Sequence, residues 1–160
     1  MPEYDKNKDS DSVSHNKEQC IVYDKDDRIA QIMNYEDGVL NGAYHIYENG
    51  VLIALSYYVD GLREGNAYIY EQNLPILKTS YRKDKKHGLE ISYRKGMVIQ
   101  VQMFQDDVAC GAYMIFDENG LLLEKGLFED DEKTEQQFFD DQMELIKEQF
   151  FINGVEVERE

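Results

Sequence analysis

The residues that could carry chemistry are few and scattered. Three pairs of adjacent acids stand out: Asp106-Asp107, Asp130-Asp131 and Asp140-Asp141. Carboxylates can hold a divalent cation, but a calcium loop alternates its oxygen ligands along the chain, and these pairs do not. His15, His45 and His87 lie far apart, with no metal-ligand spacing. A Ser/His/Asp set can be drawn on paper from Ser56, His45 and Asp60, yet nothing in the spacing favours it over chance. The glycines are separated by apolar runs, so no glycine-rich loop is formed for phosphate. The sequence predicts a protein that is not an enzyme and that needs no cofactor or metal. The six acids of the three pairs remain as candidate contacts for a partner. The basic run "RKDKKH" (Arg82–His87) reads as a solvated turn that can pair with acidic segments.

Charge narrows the partner. The formal charge is −16, unevenly spread. Residues 1–60 carry 12 acids against 5 bases, residues 61–100 carry 4 against 8, and residues 101–160 carry 17 against 4. The last third is thus at −13. Such a balance argues against nucleic acid and against anionic membrane as partners. It suits solubility, and it suits contact with a basic protein.

The chain has the length of one domain. Residues 1–19 are polar and without periodicity, which predicts a disordered acidic tail ahead of a domain at 20–160. That segment lacks the apolar core of a secretory signal, and no apolar run is long enough to span a membrane as a helix. Two cysteines, Cys20 and Cys110, are expected as free thiols in a reducing compartment, so a cytoplasmic location is expected.

Something must position these residues, and the repeats show what. Gly42, Gly65, Gly88 and Gly111 recur every 23 residues. Tyr47, Tyr70, Tyr93, Phe116 and Phe139 keep the same step. A second aromatic column runs Tyr35, Tyr58, Tyr81 and Phe104, then Phe128 and Phe151 after one inserted residue. Tyr47 to Tyr58, Tyr70 to Tyr81 and Tyr93 to Phe104 each span 11 residues, whereas Tyr23 to Tyr35, Phe116 to Phe128 and Phe139 to Phe151 each span 12. The extra residue falls between aromatics, where a loop absorbs it. Recurring units of this length imply stacked supersecondary elements that bury surface only against their neighbours.

Each unit reads as two short strands. "AYHIY" (Ala43–Tyr47) and "VLIALSYY" (Val51–Tyr58) flank Asn49-Gly50, a hairpin signal. Lys95-Gly96 and Asn119-Gly120 repeat it, and Asp37-Gly38 and Asp60-Gly61, with the column glycine four residues on, are expected to reverse the chain. The predicted fold is all-β: an elongated antiparallel sheet of tandem 23-residue β-hairpin repeats, about ten to twelve strands at two per repeat. Residues 134–151, "TEQQFFDDQMELIKEQFF", are rich in helix formers, so a helix is the alternative there. Strand is preferred because Phe139 and Phe151 hold the repeat register.

The units "YEDGVLNGAYHIYENG" (Tyr35–Gly50), "YVDGLREGNAYIYEQN" (Tyr58–Asn73), "YRKDKKHGLEISYRKG" (Tyr81–Gly96) and "FQDDVACGAYMIFDENG" (Phe104–Gly120) carry a resemblance. Tyr-x-Asp-Gly-x-x-x-Gly, then a strand ending in Tyr and Asn-Gly, resembles the MORN repeat. It is closer to the variant MORN repeat of the bacterial YwqK family of antitoxin-like proteins. With weaker flanking units the resemblance covers roughly 21–157, and "FEDDEKTEQQFF" (Phe128–Phe139) lacks both glycines, as a degenerate capping unit does. The resemblance implies a non-catalytic, protein-binding repeat protein, an antitoxin or immunity protein that neutralises a basic toxin such as a nuclease. A general interaction scaffold of the same repeats is the alternative. The sequence leaves the oligomeric state open.

The repeat columns lead to one spectroscopic expectation. Far-ultraviolet circular dichroism should be strand-dominated, and helix near the roughly one-third average of soluble proteins would overturn the strand assignment.

Overall fold

The structure is a computed structural model that describes residues 16–158. The expected tail falls largely on residues 1–15, outside the described residues. Lys17, Glu18 and Gln19 are not tail but part of the first strand.

The strands follow one another in the sheet as they do in the chain. They are β1 (Lys17–Tyr23), β2 (Ile29–Glu36), β3 (Val39–Glu48), β4 (Val51–Val59), β5 (Leu62–Arg63), β6 (Gly65–Glu71) and β7 (Leu74–Arg82). Then come β8 (Lys85–Arg94), β9 (Met97–Gln105), β10 (Val108–Phe116), β11 (Leu122–Glu129), β12 (Glu132–Phe139), β13 (Leu145–Ile152) and β14 (Val155–Val157). All belong to one antiparallel 14-stranded open sheet, with β5 paired to β4 beside the main path. The count exceeds the expected ten to twelve for two reasons. The bulge at Glu64 cuts β5 from β6, and the last turn adds the three-residue β14. Residues 134–151 form two strands, in β12 and β13, joined by a loop at 140–144, as the aromatic register requires; helix propensity yields to cross-strand pairing.

The hairpins on one margin explain the two aromatic spacings. The 11-residue spacing goes with two-residue turns whose residues both have positive φ: Asn49-Gly50, Gln72-Asn73 and Lys95-Gly96. Such turns carry the twist of the flanking strands. The 12-residue spacing goes with loops led by aspartate: Asp24 to Arg28, Asp117 to Leu121 and Asp140 to Glu144. In each loop the aspartate N–H donates to the carbonyl four residues on, at 2.8, 2.9 and 3.0 Å. Its Oδ1 accepts the N–H groups two and four residues on. A short carboxylate can do this because it reaches back to its own backbone.

The column glycines do not reverse the chain, contrary to the sequence expectation. The reversals are the positive-φ pairs Asp37-Gly38, Asp60-Gly61, Lys83-Asp84, Asp106-Asp107, Asp130-Asp131 and Asn153-Gly154. Gly42, Gly88 and Gly111 sit inside strands at bulges. Pairing passes from Thr79↔Glu90 to Tyr81↔Lys86, so Ser80 alone faces His87, Gly88 and Leu89. Asn34 and Met103 face three residues in the same way. In the degenerate unit, pairing passes from Leu127↔Glu135 to Phe128↔Lys133, leaving only Thr134 over. The smaller bulge needs no positive φ, so that unit dispenses with glycine.

No second layer covers the sheet among the described residues. The three buried side chains, Thr79, Gln102 and Tyr113, belong to one cross-strand row: Ala67, Thr79, Glu90, Gln102, Tyr113, Gly126 and Gln136. Directly opposed residues share a face, so the closest packing lies along the middle of that face.

The bulges differ in one testable respect. Gly88 has φ +107 and a Cβ there would stand 3.1 Å from the Ser80 Cβ, whereas Gly111 has φ +62 with Met103 no nearer than 3.9 Å. Asn tolerates the ordinary left-handed region but not φ near +107. Gly111→Asn should therefore cost less than about 1 kcal/mol, and Gly88→Asn about 2 kcal/mol or more. Urea unfolding midpoints of the two variants check this, and equal midpoints would contradict it.

Candidate binding surfaces

The register assigns the two aromatic columns to opposite faces and opposite margins. Tyr35, Tyr58, Tyr81, Phe104, Phe128 and Phe151 lie on the face of the buried row, two residues before the reversing turns. Tyr47, Tyr70, Tyr93, Phe116 and Phe139 lie on the other face, near the loop margin. Ring contacts agree: Tyr44 meets Tyr58 on the first face at 6.1 Å, and His45 stacks with Tyr47 on the second at 6.3 Å. On the first face, the second residue after two of the turns reaches the aromatic of the next unit. The Arg63 guanidinium lies 4.2 Å from the Tyr81 ring centre, and Lys86 Nζ lies 4.7 Å from that of Phe104. Cations so placed are attracted by the ring face.

Small side chains open a depression of about 210 Å³ on that face. Ala54, Ser56 and Ala67 form its floor, and Tyr44, Tyr58 and Tyr81 stand around it. Further along, Tyr113 is 2% exposed and its ring crosses Phe128 at 5.2 Å. Its hydroxyl donates to Glu124 at 2.6 Å, and Gln136 Nε2 donates to the same oxygen at 2.7 Å. Burial above all, and then the Glu124 carboxylate, push the Tyr113 phenol up, so it stays protonated as a donor. Gly126, directly opposite Tyr113, makes this possible: a Cβ there would come within 2.6 Å of the ring and 2.0 Å of the Glu135 carbonyl oxygen.

The six candidate acids are not one patch. Asp106, Asp107, Asp130 and Asp131 are on the turn margin, and Asp140 and Asp141 on the loop margin. Asp107 and Asp131 are internal ties. The Asp107 N–H donates to the Lys86 carbonyl at 2.9 Å while its carboxylate accepts the Lys86 N–H at 2.7 Å. Asp131 does the same with Ala109, at 3.0 and 2.6 Å. Asp84, which sequence reasoning missed, does it with Arg63, at 3.0 and 2.8 Å. Gly61, lacking a side chain, makes only the first bond, to Leu40. Asp106 is paired with Arg82 and His87, each at 3.2 Å. Asp140 caps its own loop. Asp130 and Asp141 alone of the six have no hydrogen bond or ion pair among the described residues. Asp130 joins Glu129, Glu132 and Phe151 around a depression of about 420 Å³ on the turn margin.

The paper triad is not assembled. Ser56 faces with Tyr44 and His45 faces with Leu55, on opposite sides of the sheet. Among the described residues no three His, Cys, Asp or Glu side chains gather as a metal site. Cys20 and Cys110 are unbridged, and among the described residues no helix is long and apolar enough to cross a membrane. Compared with protein-family models and with curated proteins, the chain matches none.

The structural roles of these aspartates had a signal. Each 12-residue spacing contains an aspartate one residue after its first aromatic: Asp24, Asp117 and Asp140. Asp84, Asp107 and Asp131 each stand second in a reversing turn. Gly126 had no signal, because it is outside the glycine column and its role depends on the Tyr113 ring.

The ties titrate. The Arg63 backbone N–H, then its side chain, hold the Asp84 carboxyl below its ordinary value of 3.8, against a smaller opposing effect of burial. A depressed carboxyl adds stability that is present above about pH 3.8 and is lost as pH falls through its lower folded value. Asp84→Asn should flatten the fall of the urea midpoint below about pH 4. An unchanged acid limb would show that the tie adds nothing to stability.

Proposed function

We propose that this protein is a non-catalytic repeat protein that binds another protein through an acidic surface. The observation that carries the reading is the set Glu129, Asp130 and Glu132 beside Phe151, carboxylates that the fold does not use, in the most acidic third of the chain. Carboxylates around an aromatic suit a lysine or arginine side chain. Dense negative charge speeds encounter with a basic protein and mimics a phosphate backbone. With the repeat resemblance, this supports an antitoxin or immunity role against a basic toxin such as a nuclease, in the cytoplasm. The broad open faces favour a second reading, a general interaction scaffold, since Leu89, Met103 and Leu127 stand exposed on the face opposite the buried row.

The experiment is affinity capture from the native host with wild type and with an Asp130→Lys, Glu132→Lys variant in parallel. Asp107 and Asp131 are left intact because they tie the fold. A basic protein should be retained by wild type and lost by the variant, and its association should slow as salt rises, since exposed charges are screened beyond about 8 Å at physiological ionic strength. Equal retention by both proteins, or no basic protein among those retained, overturns the electrostatic reading and leaves the scaffold.

A further inference from the structure

The two ends of the sheet match each other. Within the sheet, every strand of the β3 kind has two neighbours. β3 pairs with β2 through Gln31↔Ile46, Ile32↔His45 and Met33↔Tyr44, and with β4 from Gly42↔Tyr58 to Glu48↔Val51. β1 is a strand of this kind, ending in Tyr23 as β3 does in Tyr47. It pairs with β2 from Lys17↔Glu36 to Tyr23↔Ile29, and among the described residues its other edge has no strand. At the far end, β13 is a strand of the β2 kind. β14 pairs only with Phe150, Phe151 and Ile152, which leaves the edge of Leu145–Gln149 open among the described residues. Both open edges carry apolar side chains in solvent: Tyr23 is 57% exposed, Leu145 51% and Ile146 65%. A long unpaired edge with exposed apolar residues is a template for another strand.

We propose that the chain assembles head to tail with copies of itself, β1 of one copy adding to Leu145–Gln149 of the next. The internal repeats fix the register. Gln149 corresponds to Met33, and Cys20 to Tyr44, so Cys20 faces Gln149, Ile21 faces Glu148 and Val22 faces Lys147. β14 supplies the turn-side piece of the shared strand, with Glu156 taking the place of Asn16 at the Asp37 turn of the incoming copy. Both aromatic columns run on across the junction: Tyr23 follows Phe139 on one face, and Tyr35 follows Phe151 on the other. The contact is heterologous, so it propagates rather than stopping at a dimer. The charge of −16 on each copy opposes it, so assembly strengthens as salt rises.

The test uses the native thiol at the junction. In a Cys110→Ser background, Gln149→Cys is oxidised and resolved under non-reducing conditions. The expected result is a ladder beyond the dimer, linked from Cys20 to the introduced thiol by peptide mapping, with Glu148→Cys, on the opposite face, giving far less. Sedimentation of the unmodified chain should show mass rising past twice the monomer with concentration, more so at high salt. Dimers linked only through like positions would replace the proposal with a two-fold contact. Monomer at every concentration and salt in the unmodified chain overturns it outright, whatever the variants do.

Discussion

A single-layer sheet has no opposing layer to fix its strands, so the register must be held within the layer. Here it is held by bonds between successive turns. The second residue of a turn donates its N–H to a carbonyl two residues past the preceding turn, and where that residue is aspartate its carboxylate takes back the N–H of the same residue. The pair of bonds ties one repeat to the next at the margin, where strand pairing would otherwise fray. Charge-assisted acceptors strengthen such bonds, and at Asp84 the bond in turn favours the ionised carboxylate.

The rest of the arrangement follows from that margin. Because the turns stack, the second residue after two of them lies against the aromatic of the next unit: Arg63 on Tyr81 and Lys86 on Phe104. The bulges let each strand leave its turn partner and join the next strand. This carries the row from Ala67 through Thr79, Gln102 and Tyr113 across the sheet on one face. That row is largely polar, and its members are satisfied locally: Thr79 by Glu90, Gln102 by the Met103 carbonyl, Tyr113 by Glu124. A core of this kind gains from close contact and hydrogen bonding more than from apolar area.

The same margin divides the negative charge into two kinds. Asp84, Asp107 and Asp131 are structural, and Asp106 is ion-paired with Arg82 and lies in hydrogen-bonding contact with His87. Glu129, Asp130 and Glu132 are not used in this way, and they cluster at the acidic end of the margin. A net charge counted along the chain mixes the two. A surface variant has to spare the ties if its effect is to report on binding.

The amino-acid order alone determined the all-β repeat, its 23-residue step and the two aromatic columns, and it favoured strand over helix in residues 134–151. Each depends on local turn chemistry or on a periodicity written along the chain. It also located the inserted residue between aromatics, because a hairpin loop is the one place a sheet absorbs length without shifting register. The tertiary structure decided what depends on a neighbour one repeat away. Gly42 and Gly88 shape bulges rather than turns because of what Asn34 and Ser80 face. Gly126 is required by the Tyr113 ring. Asp107 and Asp131 become ties because Lys86 and Ala109, 21 and 22 residues upstream, offer them backbone partners. Spacing along one strand carries no record of which side chain the next strand brings opposite.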